Sequence, residues 1–165
     1  MGRTDHRCGI RLARRAEART IAVMSRELIE SGLGWSWTTA RVRHSIADVD
    51  TNVIVAVDGE RVVGFALMHY REERAHLLLF AVAADRRRRG IGSSLWAWLE
   101  RTALVAGIST VHLEVRASNP PARRFYRHLG FVEEETVPGY YRGREAAVRM
   151  RCRLGVGAGG SPPLR

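Results

Sequence analysis

The stretch from Leu77 to Gly107, LLLFAVAADRRRRGIGSSLWAWLERTALVAG, constrains this chain more than any other. An apolar run of strand length passes into Arg86, Arg87, Arg88 and Arg89, then Gly90-Ile91-Gly92, then apolar residues at helical spacing. A glycine turn that opens a helix leaves several backbone N–H groups unpaired and pointing one way. The helix dipole adds positive potential at the same spot, and glycine lets backbone approach a ligand closely. The stretch therefore predicts a strand, an anion-binding turn suited to a pyrophosphate, and a helix. A solvated basic turn before an ordinary helix is the competing reading. The turn is neither a GxxxxGK[ST] loop nor a dinucleotide fingerprint, since no third glycine follows at the required spacing.

The other segments supply a frame for that turn. A short strand is expected over Gly9–Ala13, followed by a helix with Ile21, Met24 and Leu28 on one side and Gly32 as its stop. After Gly34-Trp35-Ser36-Trp37, either Ser36 or Thr38 is placed to cap a second short helix carrying Val42 and Ile46. The two tryptophans suit a core lid and a substrate wall equally. Asn52–Val57, Arg61–Tyr70 and Ala75–Ala83 read as an antiparallel meander, with Asp58-Gly59 as a hairpin turn and Gly64 near a bulge. The central helix places Ile91, Leu95, Trp98, Leu99, Thr102 and Val105 along one side. Thr110–Arg116 alternates, with Val111, Leu113 and Val115 facing one way and His112, Glu114 and Arg116 the other. Asn119-Pro120 opens a helix whose buried stripe is Ala122, Phe125 and Leu129. Phe131–Val137 and Ala146–Leu154 are the last strands, joined through Pro138 to Gly143. The order predicts an α/β fold with one mixed, mostly antiparallel sheet flanked by helices. One domain over residues 1–154 and a disordered tail over 155–165 are expected.

Composition enters through charge. The formal net charge is +10, and all 27 basic residues are arginine. Such a surface attracts phosphates, nucleic acid or acidic proteins without choosing among them. Cys8 and Cys152 lack metal-ligand spacing and read as reduced thiols. The N-terminal segment has neither an apolar signal core nor the myristoylation pattern, and no run approaches a membrane span. A cytoplasmic protein with no metal and no membrane partner is expected.

Two motifs carry a resemblance. Arg87-Arg88-Arg89-Gly90-Ile91-Gly92 is similar to the [QR]xxGx[GA] loop of the GNAT N-acetyltransferases. Asn119-Pro120-Pro121-Ala122-Arg123-Arg124-Phe125-Tyr126 with Leu129-Gly130-Phe131 resembles that family's SNxxAxxxYxxLGF segment. The likeness runs from about Trp35 to Leu154. Within the family, Leu113-Glu114-Val115-Arg116-Ala117-Ser118-Asn119, the Trp35-Ser36 loop, Tyr140-Tyr141 and Gly143-Arg144-Glu145 are similar to ribosomal-protein-alanine N-acetyltransferases of the RimI type. Gly34 stands where that group carries proline, and Ala146 where it carries an acidic residue.

The resemblance implies a GNAT fold splayed at an acetyl-CoA site and direct acetyl transfer to an amine. By the same likeness, Phe80, Ala81 and Val82 pair with pantetheine, and the Val82 N–H stabilises the oxyanion. Arg87, Arg88, Arg89, Gly90, Ile91, Gly92 and Ser93 hold the pyrophosphate, and Asn119 contacts the pantetheine arm. Glu114 is the general base and Tyr126 the general acid at the CoA thiolate. On residues alone, Glu114 reads more readily as a solvated strand carboxylate, Tyr126 has the competing reading of a core-edge tyrosine, and Asn119 that of a plain helix cap, a role compatible with the other. Trp35, Tyr140 and Tyr141 are expected to flank the acceptor. His112 shares the Glu114 face and can relay a proton, whereas His44, His69, His76 and His128 read as surface or packing residues. The expected acceptor is a protein N-terminus; a small amine is the alternative. A ribosome- or RNA-binding module on the same fold, using Arg3, Arg7, Arg11, Arg14, Arg15 and Arg19, is a third reading.

Overall fold

The computed structural model of the chain describes residues 8–155. Arg3, Arg7 and the expected tail beyond Gly155 lie outside the described residues.

Strand β1 (Gly9–Leu12) and a single 3₁₀ turn lead into helix α1 (Ala18–Leu28) and helix α2 (Thr39–Ala47). Strands β2 (Thr51–Asp58), β3 (Arg61–Arg71) and β4 (Arg74–Val82) follow, then α3 (Ile91–Val105), β5 (Thr110–Arg116), α4 (Pro120–His128), β6 (Val132–Tyr141) and β7 (Glu145–Arg153). The strands form one sheet in the order β1-β2-β3-β4-β5-β7-β6. Every neighbouring pair is antiparallel except β4–β5. A parallel pair needs a crossover, and α3 supplies it.

Strand alternation divides the core into two layers. Ile54, Ala66, Leu113 and Met150 pack under α3 and α4 with Leu95, Leu99 and Tyr126. Val53, Val55, Phe65 and Leu67 pack under α1 and α2 with Ile21, Ala22 and Val42. Being covered on both faces explains why β2 reads as an unbroken apolar run.

Local outcomes differ from expectation in three places, and one open choice, the cap of α2, is decided. The buried stripe of α3 is Ile91, Leu95, Trp96, Leu99 and Ala103. Val105, at the helix end, is 91% exposed because the chain turns away beneath it at Gly107. Thr38, not Ser36, caps α2, accepting from the Arg41 N–H at 3.3 Å. The buried residue of α4 is Tyr126, with Ala122, Phe125 and Leu129 only partly covered. Pro138 to Tyr141 belongs to β6 rather than to a connecting loop, as an irregular stretch between the Val137–Ala147 and Tyr141–Glu145 pairs. The bulge expected near Gly64 is there: Ala56 pairs with Gly64 and Val57 with Val62, so Val63 is the extra residue.

Candidate active site

The site begins where β4 and β5 part. They pair only through Arg74–Thr110, Ala75–Val111 and His76–His112. A bulge on β4 accompanies the parting, for Met68 faces Leu77 while Leu67 faces Leu79, leaving Leu78 extra. Beyond it, β4 is bonded to β3 alone. The Ala83 N–H donates to the Val63 carbonyl on β3 at 2.8 Å. Successive strand residues aim their N–H and C=O to opposite edges, so Phe80 and Val82 present theirs to the opening. Consistent with this, the Val82 carbonyl accepts from Arg87 Nε at 3.4 Å. The sheet thus contains a wedge with one polar wall of free backbone groups.

A cavity of about 420 Å³ runs through this wedge. Phe80, Glu114, Asn119 and Tyr126 line it from the sheet and α4, and Trp37, Tyr140 and Tyr141 line it from the surrounding loops and β6. Ala81, Val82 and the residues from Arg87 to Ser93 are not part of its lining. Trp35, expected as a substrate wall, also lies outside it, with the Arg26 guanidinium 5.4 Å from its ring centroid. Trp37 takes the wall position, with Arg41 stacked 3.7 Å from its ring centroid.

Glu114 has a 12% exposed side chain and two basic partners. His76 Nε2 lies 2.5 Å from its Oε2, and Arg149 Nε donates to its Oε1 at 3.3 Å. Burial pushes the carboxyl up, but the hydrogen bond and charge of His76, with those of Arg149, outweigh it and hold Glu114 below the usual carboxylate range. It is therefore ionised at neutral pH and able to take a proton. His76, read from sequence as a surface or packing residue, is its closest partner. The contact depends on the β4–β5 register, which is set across a helical crossover and leaves no local mark. His112, in register with His76, is not part of the cavity lining; burial holds it low, with Glu134 and Glu114 pulling it up and His76 and Arg74 pushing it down.

Tyr126 sits in an aromatic nest, with Phe80, Phe125 and Phe131 at ring-centroid distances of 6.1, 5.6 and 5.8 Å. Burial, and secondarily Tyr141, push its phenol well above the usual range. It stays protonated and can only donate a proton. Asn119 caps α4, its Oδ1 accepting from the Ala122 N–H at 3.2 Å, and still lines the cavity.

The arginine turn is divided in its duties. Arg86 is engaged by Asp58 and Asp85, and Asp85 is also clamped by Arg61 at 2.8 and 2.9 Å. The Arg61 hydrogen bonds hold Asp85 at about 2. This cluster ties the turn to the β2–β3 hairpin and leaves Arg88 and Arg89 without carboxylate partners among the described residues. Arg88 and Gly90 take left-handed φ of +61° and +78°. The amide N–H groups from Arg88 to Ser93 find no backbone acceptor, which suits an anion. Gly92 has a different reason to be glycine: a Cβ there would stand 2.9 Å from the Phe125 ring, so α3 and α4 meet at this point.

Glu30 carries no mark in the sequence. Only 8% exposed, it lines the cavity and accepts from the Ser36 N–H at 2.8 Å, from the Ser36 hydroxyl and from the Trp37 N–H at 3.3 Å. It holds the α1–α2 loop that presents Trp37. Across the cavity, Arg116 donates to the Ser31 carbonyl at 2.6 Å, tying that loop to β5.

The model of the acetyltransferase (GNAT) family matches residues 22–131. The chain is 37% identical over 98 residues to an uncharacterized N-acetyltransferase of Methanocaldococcus jannaschii, covering 59% of this chain and 62% of that protein. It is also 37% identical over 100 residues to the [ribosomal protein bS18]-alanine N-acetyltransferase of Salmonella typhimurium, covering 59% of this chain and 68% of that enzyme. The chain thus spans somewhat under or about two thirds of the curated relatives it matches. Among solved structures, Ard1 from Thermoplasma volcanium superposes with a TM-score of 0.80 at 26% identity, over 90% of this chain and 98% of that one. A fold neighbour at 19% identity and TM-score 0.75, the PaiA N-acetyltransferase of Thermoplasma acidophilum, was solved in complex with coenzyme A.

Proposed function

The chain belongs to the acetyltransferase (GNAT) family, and from that premise we propose that it transfers the acetyl group of acetyl-CoA to the N-terminal α-amine of a protein with a small first residue. The observation that carries this reading is the convergence, in one cavity at the parting of β4 and β5, of an ionised carboxylate, Glu114, and a protonated phenol, Tyr126. A pair held in opposite protonation states is what amine acylation requires at its two ends.

The residues fit acetyl-CoA as co-substrate. The free backbone edge at Phe80 and Val82 suits an amide-bearing arm, with Ala81 bonded back to β3 between them. The unpaired amides from Arg88 to Ser93, with Arg87, Arg88 and Arg89 around them, suit a pyrophosphate. When bound, acetyl-CoA supplies an activated thioester. The Val82 N–H, aimed into the wedge, is placed to stabilise negative charge on the thioester oxygen. Glu114 takes the amine proton, and His76 and Arg149 hold that carboxylate in position. Tyr126 protonates the departing thiolate. A thiol has a pKa near 8.5, so the leaving group needs modest help.

The amine class follows from proton energetics. A free α-amine has a pKa of about 7.7–8.0 and a lysine side chain about 10.4. At about 1.36 kcal/mol per unit, freeing the first near neutral pH costs roughly 1 kcal/mol and the second roughly 4–5. One carboxylate below its usual range suits the easier task. Trp37, Tyr140 and Tyr141 form aromatic walls that suit an extended chain end. The named relatives that act on ribosomal-protein alanine favour the same acceptor class. Incubation with acetyl-CoA and a panel of peptides and small amines, read by mass spectrometry, tests the reading. Modified peptides are expected; modification of small amines alone would favour a small-molecule acetyltransferase.

A further inference from the structure

Beside the acceptor cavity, the half of the sheet not covered by α1 and α2 holds a second concavity of about 560 Å³. His69, Arg71, Arg74, His76, His112 and Arg149 wall it, and Glu114 is the one carboxylate in its lining. Register produces this crowding. His69 stands opposite His76, and His76 opposite His112, in a row across β3, β4 and β5. At the hairpin end Arg71 stands opposite Arg74. Like charges directly opposite on neighbouring strands destabilise a sheet, so two facing arginines bring the hairpin no stability.

On the strands around the concavity the negative charge is already engaged; Glu72 and Glu73, exposed in the turn between Arg71 and Arg74, lie outside its lining and form no ion pair with either arginine. Glu114 is met by His76 and Arg149, and Arg149 also meets Glu135. Arg151 holds Glu134 at 2.6 Å. Asp48 lies 3.6 Å from His69. Arg71 and Arg74 have no carboxylate within ion-pair reach among the described residues. Among the described residues no three ligating side chains converge on one point, so the histidine row does not make a cation site.

We propose that this concavity is a subsite for acidic side chains of the acceptor protein, a few residues downstream of the amine that is acetylated. The assignment rests on the reading of the chain as an N-terminal acetyltransferase and adds a sequence preference to it. Continuity argues for the acceptor as occupant: Leu78 and Glu114 line both cavities. Arg74 is in register with Thr110, which precedes Glu114 on β5 by about 13 Å of strand. An acceptor chain with its first residue at Glu114 and extended along the sheet therefore brings roughly its third to sixth residues over Arg74 and Arg71.

The test uses the full chain and two peptides labelled at the C-terminus. Both begin with alanine; positions three to six are acidic in one and glutamine in the other. Binding is measured by fluorescence anisotropy in the presence of CoA, and transfer by mass spectrometry, for the wild type and for Arg71→Gln/Arg74→Gln. Both arginines are exposed and face each other, so the double variant is expected to fold. The wild type should favour the acidic peptide by about three- to tenfold in Kd and in kcat/KM, as a few exposed charge contacts allow. The preference should shrink with added salt and vanish in the double variant, with transfer to the neutral peptide unchanged. Equal affinity of the wild type for both peptides, or a preference that survives in the double variant, overturns the proposal. Tighter, arginine-dependent binding of an RNA oligonucleotide of matched charge overturns it too. Failure of the acetyltransferase reading shows separately, as absent transfer to either peptide, while the anisotropy still decides the subsite.

Discussion

At Gly90 the backbone turns through a φ of +78° with nothing within 4 Å of where a side chain would stand, whereas at Gly92 a Cβ would meet Phe125 at 2.9 Å. The two glycines of one motif therefore separate binding from folding. Gly90→Asp should cost about 1 kcal/mol of stability, since aspartate tolerates that conformation, yet strongly weaken CoA binding in calorimetry by placing a carboxylate at the anion turn. Gly92→Ala should lower the melting temperature by more, through the α3–α4 contact. Unchanged CoA affinity in a folded Gly90→Asp variant would remove the pyrophosphate from this turn. The residues proposed to handle protons make a second pair of expectations. Glu114→Gln and Tyr126→Phe should each lower kcat by about 10²–10⁴-fold, with acetyl-CoA affinity nearly unchanged. In Glu114→Gln the residual rate should climb with pH towards the acceptor amine's own pKa of about 7.7–8.0, because only amine already deprotonated remains usable. Wild-type rates across pH in Glu114→Gln would place the base elsewhere. The alternation of Thr110–Arg116 made the polar face of Glu114 legible in the sequence. That His76 meets it was not legible, because the partner lies on a strand reached through a whole helix. Trp35 and Trp37 were indistinguishable in sequence for a similar reason: Glu30, a side chain below, decides which of them turns inward.

Elements were legible where burial followed a simple period. The meander, α3 and β5 stand within a residue or two of their expected bounds, because alternation or helical spacing is continuous there. Pro138 to Tyr141 looked like a loop because proline and glycine usually interrupt strands; at an edge strand such as β6, which has a partner only on β7, irregular pairing is tolerated. The α1–α2 loop depends on Glu30, whose carboxylate answers Ser36 and Trp37. Glu30→Ala leaves these buried donors unpaired and should cost about 1–3 kcal/mol in chemical denaturation. It should also raise the acceptor KM, with acetyl-CoA KM little changed, because Trp37 loses its fixed position. An acceptor KM equal to wild type would mean that the loop does not shape the acceptor cavity.

Over the whole molecule, charge is arranged as arginine–carboxylate pairs. Arg11 with Glu17, Arg61 with Asp85 and Arg123 with Glu133 hold carboxylates below their usual range, Asp85 at about 2, and His76 together with Arg149 does the same for Glu114. A carboxylate with a depressed folded pKa contributes stability above its unfolded pKa and loses it as pH falls through the folded value. The melting temperature should therefore fall as pH drops from about 4 towards 2, modestly, because most of these pairs are exposed. A flat melting temperature over that window would show that the pairs are idle. No helix among the described residues is long and apolar enough to cross a membrane. The absence of lysine has a practical consequence: the chain offers no side-chain amine of its own to confuse the product of the reaction. The most direct test of the central claim is the site of modification in one peptide carrying both an N-terminal alanine and an internal lysine, mapped by tandem mass spectrometry after incubation with acetyl-CoA. Acetyl on the alanine α-amine, with lysine untouched, is the expected result. Acetyl on lysine alone, or on free small amines while the peptide is ignored, would contradict it.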